Sequence, residues 1–188
     1  LSIWKGNIDI RALQGGWTND VYLITDDNKK MVAKIGGDKK DFGVIRSHEI
    51  TASKAAHQAG ISPKVIYYEE EILIFEYIKA KSLTPQQIRE EKNLKKIINL
   101  IKIVHTDVFN YLKNPNLSLS IFQIINYKFQ ALKKYNSVYI DKLNDLIKDS
   151  KIFAKESRSH KIVFTHNDYY FKNILYKDNK FWLIDWEY

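Results

Sequence analysis

A chain of 188 residues with 45% hydrophobic content is long enough for one sizeable core or for two small lobes sharing a cleft, which excludes disorder as the default. The formal charge of +8 is spread over lysine doublets (Lys29-Lys30, Lys39-Lys40, Lys95-Lys96, Lys133-Lys134) among acids and asparagines, so the single basic block of a nucleic-acid or anionic-membrane surface is missing. With no Cys, disulfides and thiolate metal sites are excluded; the longest apolar run, Ile97 to Val104, is broken by Lys102 and is shorter than the ~18 residues a membrane span needs, which leaves the cytoplasm as the expected compartment.

The opening stretch reads as strand, glycine turn, strand. Ile8 to Leu13 is followed by Gln14-Gly15-Gly16-Trp17-Thr18-Asn19 and by alternation from Val21 to Thr25. Asp26-Asp27-Asn28-Lys29 is turn chemistry, and Met31 to Ile35 supplies a third strand of a small antiparallel sheet. From Val44 to Ala59, the residues Ile45, Ala52, Ala55, Ala56 and Ala59 recur at helical spacing, and Gly60 supplies the stop. Val65 to Tyr68 and Ile72 to Tyr77 read as two more strands.

Beyond these the period changes to 3.6. Thr84-Pro85 is a cap with Pro at the first helical position, and Leu94, Ile97, Ile98, Ile101, Val104, His105 and Val108 mark one long face, ended by Asn114-Pro115. Ile121, Ile125, Phe129 and Leu132 mark a second helix, and Ile140, Leu143, Leu146, Ile147 and Phe153 a third. The chain finishes with strand-like Ile162 to Thr165, Asn173 to Tyr176 and Phe181 to Asp185. A β-rich lobe over residues 1–79, a connector near Ile78 to Ser82 and a mainly helical lobe over residues 80–188 predict a bilobal α+β architecture with a cleft.

The strongest local signal is His166-Asn167-Asp168-Tyr169-Tyr170-Phe171-Lys172-Asn173, followed by Asp185 at the end of an apolar strand. Asp168, Asn173 and Asp185 are thereby gathered on one small β-unit, an oxygen-donor set that suits a hard cation such as Mg²⁺. Phosphoryl transfer needs such groups, because charge spreads over the moving phosphoryl oxygens and must be neutralised and aligned. Asp168 fits the carboxylate that stays off the metal and receives the hydrogen of an acceptor hydroxyl. Alone, the H-x-D-x-x-x-x-N pattern is equally that of a capped loop beside a strand. Lys34, on an apolar strand, is costly unless it meets an anion, and Glu49 lies on the only helix nearby. Each alone is an ordinary surface charge; as a pair they would aim an ammonium at nucleotide phosphates. Gly15-Gly16 alone needs no explanation beyond a tight hairpin, and no P-loop pattern occurs.

What is specific is the order: glycine hairpin, Lys34, Glu49, an apolar strand into Glu76-Tyr77-Ile78, a long helix, Asp168 with Asn173, then Asp185. His166-Asn167-Asp168 with Asn173-Ile174-Leu175, and Leu183-Ile184-Asp185-Trp186-Glu187-Tyr188, resemble the choline and ethanolamine kinase family; Gly15-Gly16-Trp17-Thr18-Asn19 resembles its nucleotide loop. The resemblance runs from about Leu13 to the last residue and implies a protein-kinase-like fold, ATP, Mg²⁺ and a small-molecule alcohol as phosphate acceptor. It implies Asp168 as catalytic base and Asn173 and Asp185 as Mg²⁺ ligands. It implies Gly15, Gly16, Thr18, Asn19, Lys34 and Glu49 at the nucleotide, with the Glu76, Tyr77 and Ile78 backbone receiving adenine. Glu187 and Tyr188 would form the near wall of the acceptor pocket. Members of the family continue past this motif into helices bearing much of that pocket, so a C-terminally incomplete chain is expected. Competing readings are a thiamine or aminoglycoside kinase of the same superfamily, a nucleotide-binding pseudokinase, and a metal-dependent phosphoesterase using His166 and Asp168.

Overall fold

The computed structural model describes residues 3–13, 19–27, 29–39, 43–113, 120–157 and 163–188; Gly15, Gly16 and Thr18 of the expected nucleotide loop lie outside them. The chain divides into two compact units, Leu1–Asn114 with Val163–Tyr188, and Pro115–Ile162.

In the first unit, β1 (Ile8–Leu13), β2 (Asp20–Asp26) and β3 (Lys29–Ile35) form the antiparallel meander the sequence predicts, with Ile10 opposite Ile24 and Tyr22 opposite Ala33. β5 (Ile72–Glu76) pairs on the far side of β3 and β4 (Val65–Tyr68) closes the edge, giving the order β1-β2-β3-β5-β4. Side-chain alternation then divides the sheet. Ile24, Met31, Ala33 and Ile74 are buried on one face beneath Ile3, Trp4, Tyr22 and Tyr67. Lys34 and its register partner Leu73 fall on the other face, from which Lys34 reaches α1 (Arg46–Gln58). Ala52, Ala55 and Ala56 of α1 bury into the main core with Ile97, Leu100 and Val104 and with Ile174 and Leu183; small alanines let the helix approach closely.

The capped start at Thr84-Pro85 is present as a capping box with Gln87, but the long helix expected beyond it is broken. α2 (Pro85–Arg89) stops at Glu90, whose extended backbone (φ −66°, ψ 129°) cannot continue a helix, and α3 (Glu91–Thr106) starts afresh. Asn93 holds the break together by donating to the Gln87 carbonyl. A 3₁₀ turn, Val108–Tyr111, follows and buries Val108.

The connector after β5 ends in β6 (Lys81–Ser82), a short strand the sequence did not signal, which pairs with β7 (Ile174–Lys177); β8 (Lys180–Leu183) completes a three-stranded sheet. The β7–β8 turn places Asp178 and Asn179 at φ 47° and 64°, the left-handed pair that a two-residue hairpin requires and that Asp and Asn tolerate. Two strand expectations need correction. Val163–Thr165 pairs with no strand among the described residues, and Asn173 sits in a 3₁₀ turn (Phe171–Asn173) so that its strand begins one residue later.

The second unit holds α4 (Ile121–Lys134) and α5 (Ile140–Glu156), where the sequence expects helices, joined by a turn with Asn136 at φ 49°. Phe129 is its one buried hydrophobic among the described residues, while Tyr127, Tyr135, Val138 and Leu146 are exposed. No helix among the described residues is long and apolar enough to cross a membrane.

Candidate functional site

Lys34 lies in the middle of the large sheet, between Val21 of β2 and Leu73 of β5, and is 7% exposed. A buried ammonium must be paired, and this one is paired three times. Nζ donates to Glu49 Oε1 at 2.5 Å, to Asp185 Oδ1 at 2.6 Å and, more loosely, to Glu187 Oε2 at 3.4 Å. Burial by itself would push the ammonium down; the three carboxylates outweigh it and raise its pKa above the ordinary lysine range. Glu49 is fully buried, and burial pushes its carboxyl up against the opposing pull of Lys34 and Arg46. The expected Lys34–Glu49 pair is therefore formed.

Around that pair stands a second layer. Arg46, buried in the first turn of α1, donates through Nη1 to Glu49 Oε2, through Nη2 to Asn19 Oδ1 at 2.5 Å and through Nε to the Gly36 carbonyl at 3.0 Å. Its backbone amide is capped by Asp38 Oδ1 at 2.8 Å. Asn19 in turn donates to Glu187 Oε2 at 2.8 Å, joining residues at opposite ends of the chain. Glu187, expected on the acceptor side, has its buried carboxylate in contact with Lys34 and Asn19, whereas Tyr188 is 45% exposed.

The Asp168 loop is built locally. His166, fully buried, presents Nε2 to the Ile184 carbonyl at 2.9 Å and receives the Asp168 amide on Nδ1 at 3.2 Å. These bonds suit one neutral tautomer, and burial accordingly lowers the imidazole's pKa. His166 is thus the brace of the loop. Trp186 packs edge-on against it at 4.5 Å and donates to Ser62 Oγ and the Leu183 carbonyl. Asn167 turns the chain at φ 62°, and Asn173 Nδ2 then donates to the Asp168 carboxylate at 2.8 Å and to its carbonyl at 3.2 Å. Asp185, at φ 72°, occupies a strained left-handed position just past β8, where the backbone swings its carboxylate toward Lys34. The Ile184 amide donates to the Asn173 carbonyl, which ties the two motifs together.

The donor set fits a hard divalent cation. Asn173 spends its Nδ2 on Asp168, so Oδ1 is the atom it could offer a cation; Asp185 remains partly exposed, with Oδ1 on Lys34. Carboxylate oxygens of Glu49, Asp185 and Glu187 also lie within 4.8 Å of one another. Glu49 is fully buried with one oxygen on Lys34 and the other on Arg46, which suits an anchor for the ammonium rather than a metal ligand.

Glu76, Tyr77 and Ile78, with Lys177, Lys180 and Trp182, line a cavity of about 500 Å³ to which Lys34, Asp168 and Asp185 do not contribute. Glu76 pairs with Met31 and Lys34 with Leu73, so the Glu76 and Lys34 side chains project from opposite faces of the sheet. The sequence singled out neither Arg46 nor the Asn19–Glu187 bond. A charged residue three positions before Glu49 was the one available hint.

The profile of the choline/ethanolamine kinase family matches residues 10–188. A protein LicA homolog from Mycoplasma capricolum is 30% identical over 128 residues, covering 67% of this chain and 48% of that protein. Ethanolamine kinase 2 of Mus musculus is 25% identical over 195 residues, covering 98% of this chain and 50% of its own length. The structure of an ethanolamine kinase from Plasmodium vivax superposes with a TM-score of 0.76 at 20% identity, over 96% of this chain and 56% of that one, a likeness of fold. The chain thus spans about half the length of the curated relatives it matches.

Proposed function

The chain belongs to the choline/ethanolamine kinase family, and from that premise we propose that it forms part of an ATP-dependent kinase phosphorylating choline or ethanolamine. The observation that carries this reading is the pairing of Asn173 with Asp168 beside a Lys34–Asp185 ion pair. That arrangement supplies a base, a metal-binding edge and a phosphate-binding ammonium from three separate segments.

In this reading residues 1–79 bind the nucleotide and residues 80–188 contribute the catalytic loop. Lys34, held by Glu49, meets the ATP phosphates; Asn19 and the preceding glycine loop with Gly15, Gly16 and Thr18 cover them; the Glu76–Ile78 backbone receives adenine. Asn173 and Asp185 would hold Mg²⁺, which when bound would supply positive charge against the phosphate oxygens. Asp168, oriented by Asn173 and by its own amide on His166, accepts the proton of the acceptor hydroxyl. The hydroxyl oxygen forms its bond to the γ-phosphorus as the bond to the β–γ bridging oxygen breaks, yielding a phosphomonoester and ADP. Glu187 contributes charge beside Lys34, and Tyr188 lies toward the acceptor.

An ATP-consumption screen of the full-length protein against choline, ethanolamine, thiamine and aminoglycosides tests the reading. Turnover with choline or ethanolamine is the expected result. Turnover with thiamine or an aminoglycoside alone would reassign the acceptor, and nucleotide binding without turnover on any of them would make the protein a pseudokinase.

A further inference from the structure

We propose that Arg46 is a positioning residue for the phosphate-binding cluster, its one guanidinium orienting Lys34 through Glu49 and Glu187 through Asn19. The inference rests on the kinase reading above. Its ground is how the donors are shared. Glu49 gives one oxygen to Lys34 and the other to Arg46, so the guanidinium fixes the carboxylate plane that aims Oε1 at Lys34. The same guanidinium holds Asn19 Oδ1, which leaves the Asn19 amide nitrogen pointing at Glu187. Asp38 on the Arg46 amide and the Gly36 carbonyl on its side chain fix where the guanidinium sits.

Gly36 supports this independently. Its φ of +146° is one that side chains rarely adopt, and a Cβ there would stand 2.8 Å from Asn19 Oδ1, so the backbone is kept bare where Arg46 and Asn19 meet. Arg46 also meets a need the mechanism creates. When Lys34 turns donors toward phosphate oxygens, Glu49 stays buried, and a buried carboxylate without a cation is strongly disfavoured. Arg46, itself 3% exposed and out of reach of solvent, is the group that keeps Glu49 compensated.

Calorimetric titration of the full-length protein with Mg·ATP separates positioning from mere bracing, because stoichiometry reports the folded fraction and Kd reports the site. Arg46→Met should raise Kd on the order of 10-fold at unchanged stoichiometry, within the coupling range of directly contacting residues. Arg46→Lys, which restores the charge without the fork, should recover part of that loss. Arg46→Met should cost less in an Asn19→Ala background, since part of its effect runs through Asn19. A wild-type Kd in Arg46→Met, or a fall in stoichiometry alone, would overturn the inference and leave the kinase reading intact. Wild-type protein that does not bind Mg·ATP would overturn that reading and the inference with it.

Discussion

Lys34 and Asp168 sit in regions assembled by different means. The Lys34 cluster joins side chains as far apart as Asn19 and Glu187, 168 positions along the chain, and nearly all of it is buried. The Asp168 loop is tied by bonds spanning 2, 5 and 18 positions, and its carboxylate is half-buried. The difference teaches which part of the site depends on the whole fold. The cluster exists only once β2, β3, α1 and the last residues have met, whereas the loop carries most of its geometry in one short stretch.

If that contrast holds, substitution in the cluster should damage stability and nucleotide affinity together. Lys34→Met leaves Glu187 buried without its ammonium and Glu49 with Arg46 as its remaining cation, so the loss should approach the roughly 3 kcal/mol that breaking a buried ion pair costs. Chemical denaturation should register that loss, and Mg·ATP titration a weakened Kd; an unchanged midpoint would show that the cluster is not what holds the sheet to the C-terminal motif.

The metal edge should show a smaller, ligand-specific effect. Asp185→Ala and Asn173→Ala should each weaken Mg·ATP binding by roughly 10-fold or more, in line with losses on disturbing metal-site partners, while changing metal-free ATP binding less. Titration with and without Mg²⁺ distinguishes the two. If both variants bind Mg·ATP like wild type, the metal lies elsewhere.

The smallest effect belongs to the brace. Burial of His166 holds its folded pKa below that of the unfolded chain. The unfolded chain then binds the extra proton first as pH falls. His166 therefore contributes stability that is present above about pH 6.5 and drains away below it. His166→Gln should make the loss of stability on acidification shallower, by at most about 1.4 kcal/mol per pH unit. Parallel slopes for the two proteins between pH 6.5 and 5 would mean that His166 is charged in the folded loop.

The same contrast explains what could be read from sequence. Alternation placed Lys34 on the middle strand, helical spacing placed Glu49 on α1, and the five-residue interval brought Asn173 to Asp168; each needs only a local rule and the expected order of elements. Arg46 escaped notice because nothing near it in sequence foretells that Gly36 and Asn19 will close on it. Glu187 was expected beside the acceptor because its neighbours in sequence carry the motif, while its carboxylate bonds Asn19 and Lys34 from across the fold. The break at Glu90 and the strand Lys81–Ser82 are likewise tertiary choices: one depends on Asn93 bridging back to Gln87, the other on β7 arriving alongside. Val163–Thr165 has strand composition without a strand to pair with among the described residues.

The most direct test is single-turnover transfer of the γ-phosphate from ATP to choline or ethanolamine by full-length wild-type and Asp168→Asn proteins, followed across a range of nucleotide concentration. If Asp168 acts on the acceptor hydroxyl while the Lys34 cluster holds the nucleotide, the variant's plateau rate should fall ~10²-fold or more. Its half-saturating Mg·ATP concentration should stay that of the wild type. A plateau equal to wild type, or a loss that appears only as a higher half-saturating nucleotide concentration, would contradict the assignment of the base to Asp168.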